Sequence, residues 1–275
     1  MLRIGCVKYL NARPLIYGWS GAVDFDHPAA LCRKLERGDL DVALVSSLEY
    51  LRRPIYRIVD RVSISAHGAV YSVIVAHNED LSRAQEIDID PASETSVALL
   101  RCLLDQRDLK PRLVRNTDLQ SVRRAELHSA ESETADSMSA GRTGQRPVFR
   151  LLIGDQAIRF RTEHGERYHY WDLAEAWTKM TSLPFAFAFW LIRPEIQNAK
   201  GIADKLRALR DHNVASIDDL ALSQSEVSPT FCRKYYREHL FFNFDEREKA
   251  GLREFHRRCL LNKIDVAPYL RLNLV

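Results

Sequence analysis

The sequence predicts an α/β protein with largely parallel sheets, in which apolar strand-type runs alternate with helical periodicities through the first 190 of its 275 residues. Several of those runs also end in Ser, Thr, Asn or Asp directly before a helix start. In open α/β sheets ligands bind beyond the carboxyl ends of the strands, so these junctions are the places to look for a site. An apolar content of 46% is enough for one large domain or two lobes.

Arg3 to Val7 is a buried type of strand, followed by Tyr9, Leu10, Asn11 and Arg13 and then by Pro14, a good first-turn residue for a short helix around Leu15 to Gly18. Asn11 at this junction is either a cap or a ligand contact. Val23 to Asp26 is a short strand. Pro28 to Arg37 is a helix, with Pro28 at its first position, Leu31 and Leu35 on one face and Gly38 just past its end. Asp41 to Val45 is a second buried strand, and Ser46 and Ser47 stand where it meets the next helix. They serve as N-caps, as an anion site with the free N–H groups, or as both.

SISAHGAVYSVIVAH holds two β-type runs around Gly68, with Ser72 among Val70, Val73 and Val75 and its direction open. Glu86 to Ile89 is a strand leading into a helix whose Val97, Leu100, Leu103 and Leu104 recur at helical spacing. Ser93, Thr95 and Ser96 crowd its start, where the helix carries about half a positive charge, which makes a credible carboxylate cradle. After a strand at Pro111 to Val114 the composition changes. Arg115 to Arg146 has five basic and five acidic residues and no aromatic side chain, too little apolar surface to repay ordering, and reads as an insertion.

Phe149 to Ile153 is again a strand, ending at Gly154 and Asp155, and Asp155 is either a cap or a ligand contact. Tyr168 to Trp171 is a β-type run, and Asp172 caps a helix with Leu173, Ala176, Trp177 and Met180 on one face. Phe185 to Ile192 has the apolar character of a strand packed on both sides. Three or four helices follow from Glu195, with breaks near Asn213, Ser228 and Asn243.

Composition excludes several classes. Forty Lys plus Arg against 37 Asp plus Glu are scattered, which argues against nucleic acid but allows a small anion. The longest apolar runs fall short of the ~20 residues of a membrane span. The first residues lack the features of a secretion signal, so a cytosolic location is expected. Cys6, Cys32, Cys102, Cys232 and Cys259 are widely spaced and the histidines dispersed, so reduced thiols and no metal are expected. GxGxxG, GxxxxGK[ST] and GxSxG are missing, and no cofactor is expected. Trp177, Phe185, Phe187 and Trp190 are expected in the core, His67 near the cleft in a minor reading, and Arg13 at the surface or on a carboxylate.

The ordered set YLNARPL, GDLDVALVSSLEY, SISAHGAVYSV, PASETSVALLR, LLIGDQAI and WDLAEAWTKMTSLPFAFAFW resembles the chorismate dehydratases of the futalosine route to menaquinone. The likeness covers Arg3 to Pro111 and Phe149 to Pro194. It implies a two-lobed fold like the type II periplasmic binding proteins, with a ligand cleft between lobes. Lobe one would combine residues 1–88 and 187–275, and lobe two residues 89–186, including the 115–146 insertion. The implied reaction removes water from chorismate to give 3-[(1-carboxyvinyl)oxy]benzoate without a cofactor, the substrate's own carboxylate serving as base. The resemblance places Asn11 near the reacting ring and leaving hydroxyl. Asn11 and Ser72 are the catalytic candidates, with Ser46, Ser47, Ser93, Thr95, Ser96 and Asp155 on the substrate. The insertion and Ser182, where Gly is usual, depart from the family pattern. The competing readings are the pathway's dihydroxynaphthoate synthase and a non-catalytic anion-binding protein.

Overall fold

The computed structural model describes residues 2–89, 94–115, 148–224 and 227–275. Ser93 and residues 116–146 of the expected insertion lie outside the described residues. The strands are β1 (Ile4–Cys6), β2 (Val23–Phe25), β3 (Val42–Ser46), β4 (Arg57–Ile58), β5 (Ile64–Ala66), β6 (Val73–His77), β7 (Glu86–Ile89), β8 (Arg112–Arg115), β9 (Phe149–Ile153), β10 (His169–Asp172) and β11 (Phe185–Ile192). The helices are α1 (Arg13–Ile16), α2 (Pro28–Arg37), α3 (Ser47–Arg52), α4 (Glu94–Gln106), α5 (Gly154–His164), α6 (Leu173–Thr181), α7 (Ala199–Ala215), α8 (Ile217–Leu222), α9 (Pro229–Lys234) and α10 (Glu246–Leu261).

Two sheets organise the described chain. One runs in the order β2-β1-β3-β11-β4, with β5 also on β11, and the other β10-β6-β9-β7-β8. Both are mixed, contrary to the expectation of largely parallel sheets. β1 pairs parallel with β2 and β3, and β7 with β8 and β9. β11 runs antiparallel to β3, β4 and β5, and β6 to β9 and β10. Strand and helix alternation reveals the order of elements but not strand direction, and an apolar strand buried on both faces suits either pairing. The β6 strand, grouped with lobe one from sequence, hydrogen-bonds within the second sheet.

Two other expectations shift. The first helix comes earlier than expected, as a 3₁₀ turn at Leu10–Ala12 running into α1. Asn213 of α7 donates to the carbonyls of Pro14 (3.1 Å) and Tyr17 (2.8 Å), so a one-turn helix has its last acceptors satisfied from far along the chain. The two-residue strand β4 is too short to leave a pattern in the sequence. Elsewhere the local signals hold, including Pro28 opening α2 and Gly38 closing it at φ 81°.

The segments that pass between the sheets are 67–72 and 182–184, and both contain left-handed backbone. Gly68 has φ 98°, Tyr71 φ 68° and Ser182 φ 61°. Left-handed geometry at a non-glycine residue costs about 1 kcal/mol. At Tyr71 that cost is met by Asp172, whose carboxylate accepts the N–H groups of Val70 (3.1 Å) and Tyr71 (2.7 Å) as well as capping α6 through Ala174 and Glu175. The Arg161 guanidinium lies 3.9 Å from the Tyr71 ring centroid and donates to its carbonyl. Burial pushes the Asp172 carboxyl up, and these backbone N–H bonds pull it back.

Trp177, Phe185 and Trp190 are buried in the core as expected. Five cysteines are free thiols, and no helix of the described residues is long and apolar enough to cross a membrane.

Candidate active site

The strand ends of both sheets open on one cavity. Tyr9 and Asn11 reach it from beyond β1, Ser46 from the end of β3, and Phe187 from β11. Ser72 arrives from the segment before β6, Thr95 and Ser96 from the first turn of α4, and Gly154 from the start of α5. Residues from six separate stretches thus converge, most of them at strand ends.

Each hydroxyl is held differently. Thr95 Oγ1 accepts the backbone N–H of Leu48 at 3.1 Å, which ties α4 to the first turn of α3. Ser72 is wholly buried, and its Oγ accepts the hydroxyl of Tyr235 at 2.6 Å. A Ser or Thr oxygen that already accepts a bond still has its own proton to give. Both residues are therefore disposed as donors, the polarity an anionic ligand needs. Ser46 makes no side-chain cap to α3 and lies near the Cys32 thiol, which burial pushes up to about 12. Ser47 is fully buried outside the cavity lining, and its Oγ finds no hydrogen-bond partner among the described residues.

Gly154 is needed as glycine. Its φ is 57°, and an added Cβ would lie 3.3 Å from the Tyr9 ring, which packs against it. Its N–H donates to the Ser72 carbonyl at 2.7 Å, so α5 also helps to place Ser72. Asp155 stands behind the cavity rather than in its lining. Its carboxylate accepts the Leu10 N–H at 3.0 and 3.2 Å, fastening the loop after β1 to α5, and with Lys8, Arg13 and Arg159 it borders a neighbouring depression. His67 is exposed, 3.3 Å from Arg247, and does not line the cavity.

Among the described residues the lining contains no Lys, Arg or His, and its ionisable side chains are Tyr9 and Glu94. Glu94 is ion-paired with Arg52. What the cavity offers is hydroxyls, one carboxamide and the N-terminal turns of α4 and α5, surrounded by apolar wall. Among the described residues no group of three or more His, Cys, Asp or Glu is placed to hold a metal ion.

Tyr9, Tyr235 and Tyr236 were not anticipated. Tyr235 and Tyr236 lie in a single π-turn at Tyr235–His239, and the Tyr236 hydroxyl donates to the Leu10 carbonyl at 2.9 Å. Burial raises both phenols far above their usual range, so they stay protonated. The one hint in the sequence is a pair of tyrosines inside the charged run RKYYREH.

A family model described as menaquinone biosynthesis matches residues 2–260. The chain belongs to this menaquinone-biosynthesis family. Within it, a chorismate dehydratase of Thermus thermophilus is 29% identical over 279 residues, covering 92% of this chain and 93% of that protein. A chorismate dehydratase of Campylobacter jejuni is 24% identical over 260 residues, covering 91% and 90%. Among solved structures, protein AF1704 from Archaeoglobus fulgidus superposes with a TM-score of 0.66 at 15% identity, covering 96% of this chain and 98% of that one. The periplasmic aliphatic sulphonate binding protein SsuA from Escherichia coli does so at 0.55 and 13%, covering 99% and 94%. These likenesses establish the fold, which is that of the periplasmic binding proteins, with two α/β lobes and a cleft between them. In this family member the cleft is the cavity lined by Asn11, Ser72 and Thr95.

Proposed function

We propose that this chain is a chorismate dehydratase, a lyase that converts chorismate to 3-[(1-carboxyvinyl)oxy]benzoate. The observation that carries the reading is the nearly full-length family match to proteins of that name, joined to a cavity of neutral donors. Chorismate is a dianion whose ring becomes aromatic when its hydroxyl leaves. The protein has mainly to bind two carboxylates, hold one conformer and assist the departing oxygen. Thr95, Ser96 and the first turn of α4 suit a carboxylate, with Ser46 beside them. Asn11 and Ser72 suit the leaving hydroxyl.

The elements of water come from two neighbouring ring carbons. The C–O bond breaks with its electron pair going to oxygen, and the proton lost from the next carbon completes the water. The family resemblance implies that the substrate's own side-chain carboxylate is the base that carries that proton, in keeping with a lining that has no His or Lys among the described residues and a Glu94 paired to Arg52. We read the two sheets as the two lobes, joined through 67–72 and 182–184, which places the first boundary before β6 rather than at residue 89.

Purified protein incubated with chorismate is expected to yield the aromatic acid, followed by ultraviolet absorbance and mass. Chorismate bound but unchanged would favour an anion-binding protein instead, and turnover of a cyclic futalosine derivative the dihydroxynaphthoate synthase.

A further inference from the structure

Ser72 meets the cavity with its oxygen already occupied. The Tyr235 hydroxyl donates to it at 2.6 Å. A phenol has one proton. That proton is committed to Ser72 Oγ. Asn11 Oδ1 is left as an acceptor; it is buried and has no hydrogen-bond partner among the described residues. The Ser72 proton is likewise left to give.

Three residues remote in sequence meet here because of the π-turn. One extra residue in the helical turn sets two successive tyrosines inward, and such turns recur at functional sites. Tyr236 holds the Leu10 carbonyl next to Asn11, while the Tyr235 ring stacks on Phe231 at 5.8 Å between centroids. Tyr235 is fully buried and is not part of the cavity lining.

We propose that Tyr235 is a positioning residue for the dehydration: its hydroxyl sets Ser72 as a hydrogen-bond donor toward the substrate's leaving hydroxyl, with Asn11 Oδ1 as the acceptor beside it. The proposal rests on the dehydratase reading above. A hydroxyl gripped by one donor and one acceptor has a single orientation, and the donor stabilises the negative charge that grows on oxygen as the C–O bond breaks. Ser72 hydrogen-bonds throughout and ends the reaction with its own proton.

Tyr235→Phe removes one oxygen and keeps the ring. On chorismate it is expected to lower kcat by ~10- to 100-fold, the loss of one hydrogen bond to the reacting array, while KM changes less than about threefold. In a Ser72→Ala background the same change is expected to cost less than about threefold, because the oxygen it acts through is gone. Packing alone would give losses that multiply. If Tyr235→Phe melts early, para-aminophenylalanine at 235 restores a donor of similar reach and is expected to recover most of the kcat. Undiminished kcat in a folded Tyr235→Phe, multiplying losses, or a folded donor variant without recovery would each overturn the positioning role. Absence of chorismate turnover in the unaltered protein would overturn the dehydratase reading and this role with it.

Discussion

Ser72 and Thr95 bring the same functional group to one cavity, yet the donor from which each oxygen accepts is of a different kind. Thr95 takes a backbone N–H, that of Leu48, whereas Ser72 takes the side-chain hydroxyl of Tyr235. A backbone donor survives most substitutions at its own position; a phenol is lost with one atom. The Thr95 bond also gives a partner to an N–H in the first turn of α3, so it belongs to the fold as much as to the site. The Ser72 bond joins two buried side chains and satisfies no backbone group. Thr95 is therefore expected to matter mainly for stability and affinity, and Ser72 mainly for rate.

The largest effect is expected at the reacting end. Ser72→Ala should lower kcat by ~10²- to 10³-fold, the usual loss for a donor at a developing oxyanion, and should cost about 1–3 kcal/mol of stability because the buried Tyr235 hydroxyl loses its acceptor. Asn11→Ala should keep the fold and lose most turnover. Near-normal kcat in either variant would dissolve the contrast and remove that residue from the mechanism.

Next comes the turn that delivers Ser72. Asp172→Ala strips the acceptor from four backbone N–H groups, including that of the left-handed Tyr71, and should cost about 3 kcal/mol or more by denaturant unfolding. Stability within about 1 kcal/mol of wild type would show that the strained turn holds without it.

Thr95→Val tests the other half of the comparison. It leaves the buried Leu48 N–H without its acceptor and should cost about 1–3 kcal/mol of stability, raise KM and lower kcat by less than about tenfold. A kcat loss equal to that of Ser72→Ala would make both hydroxyls catalytic.

A smaller effect, with the opposite sign, is expected at the crossing between sheets. Ser182 has φ 61° at the end of α6, so Ser182→Gly should raise stability by about 1 kcal/mol; an unchanged or lower Tm would mean that its side chain compensates for the backbone.

Remote from the cavity, a side-chain hydrogen bond from Arg3, offset in part by burial, holds Asp41 below the usual carboxylate range. Its contribution is present above the unfolded-state pKa of ~3.9 and is lost as pH falls through the lower folded-state value. Asp41→Asn should flatten the acid limb of Tm against pH without altering kcat; curves that stay parallel would show that this pair does not govern it.

Much of the site was legible because it sits at junctions. A buried strand followed by a helix start limits what a Ser or Asn between them can do, and Asn11, Ser46, Thr95 and Ser96 all line the cavity, whereas Ser72, whose direction the sequence left open, reaches it from the turn between β5 and β6. Asp155 shows where that logic stops. The same junction chemistry made it a cap or a contact, and it is a brace for the Leu10 N–H instead. Ser182 is explained only now, since the preference for glycine before LPF reflects a left-handed backbone. Tyr235 left only a faint local signal, a tyrosine pair in a charged run, because the partner that gives it meaning is 163 residues away.

The sequence by itself determined what depends on neighbours along the chain: the periodicities that separate strands from helices, the caps at Pro28, Gly38 and Asp172, the hydroxyl-rich junctions, and the ordered motifs that mark the family. Tertiary structure alone decided the direction of β11 and β6, the route of the chain between sheets, and which proton each hydroxyl has left to give. The reason is range. Helical turns and caps are built from contacts within a few residues, whereas strand pairing and a buried hydrogen bond such as Tyr235 to Ser72 exist only once distant segments have packed.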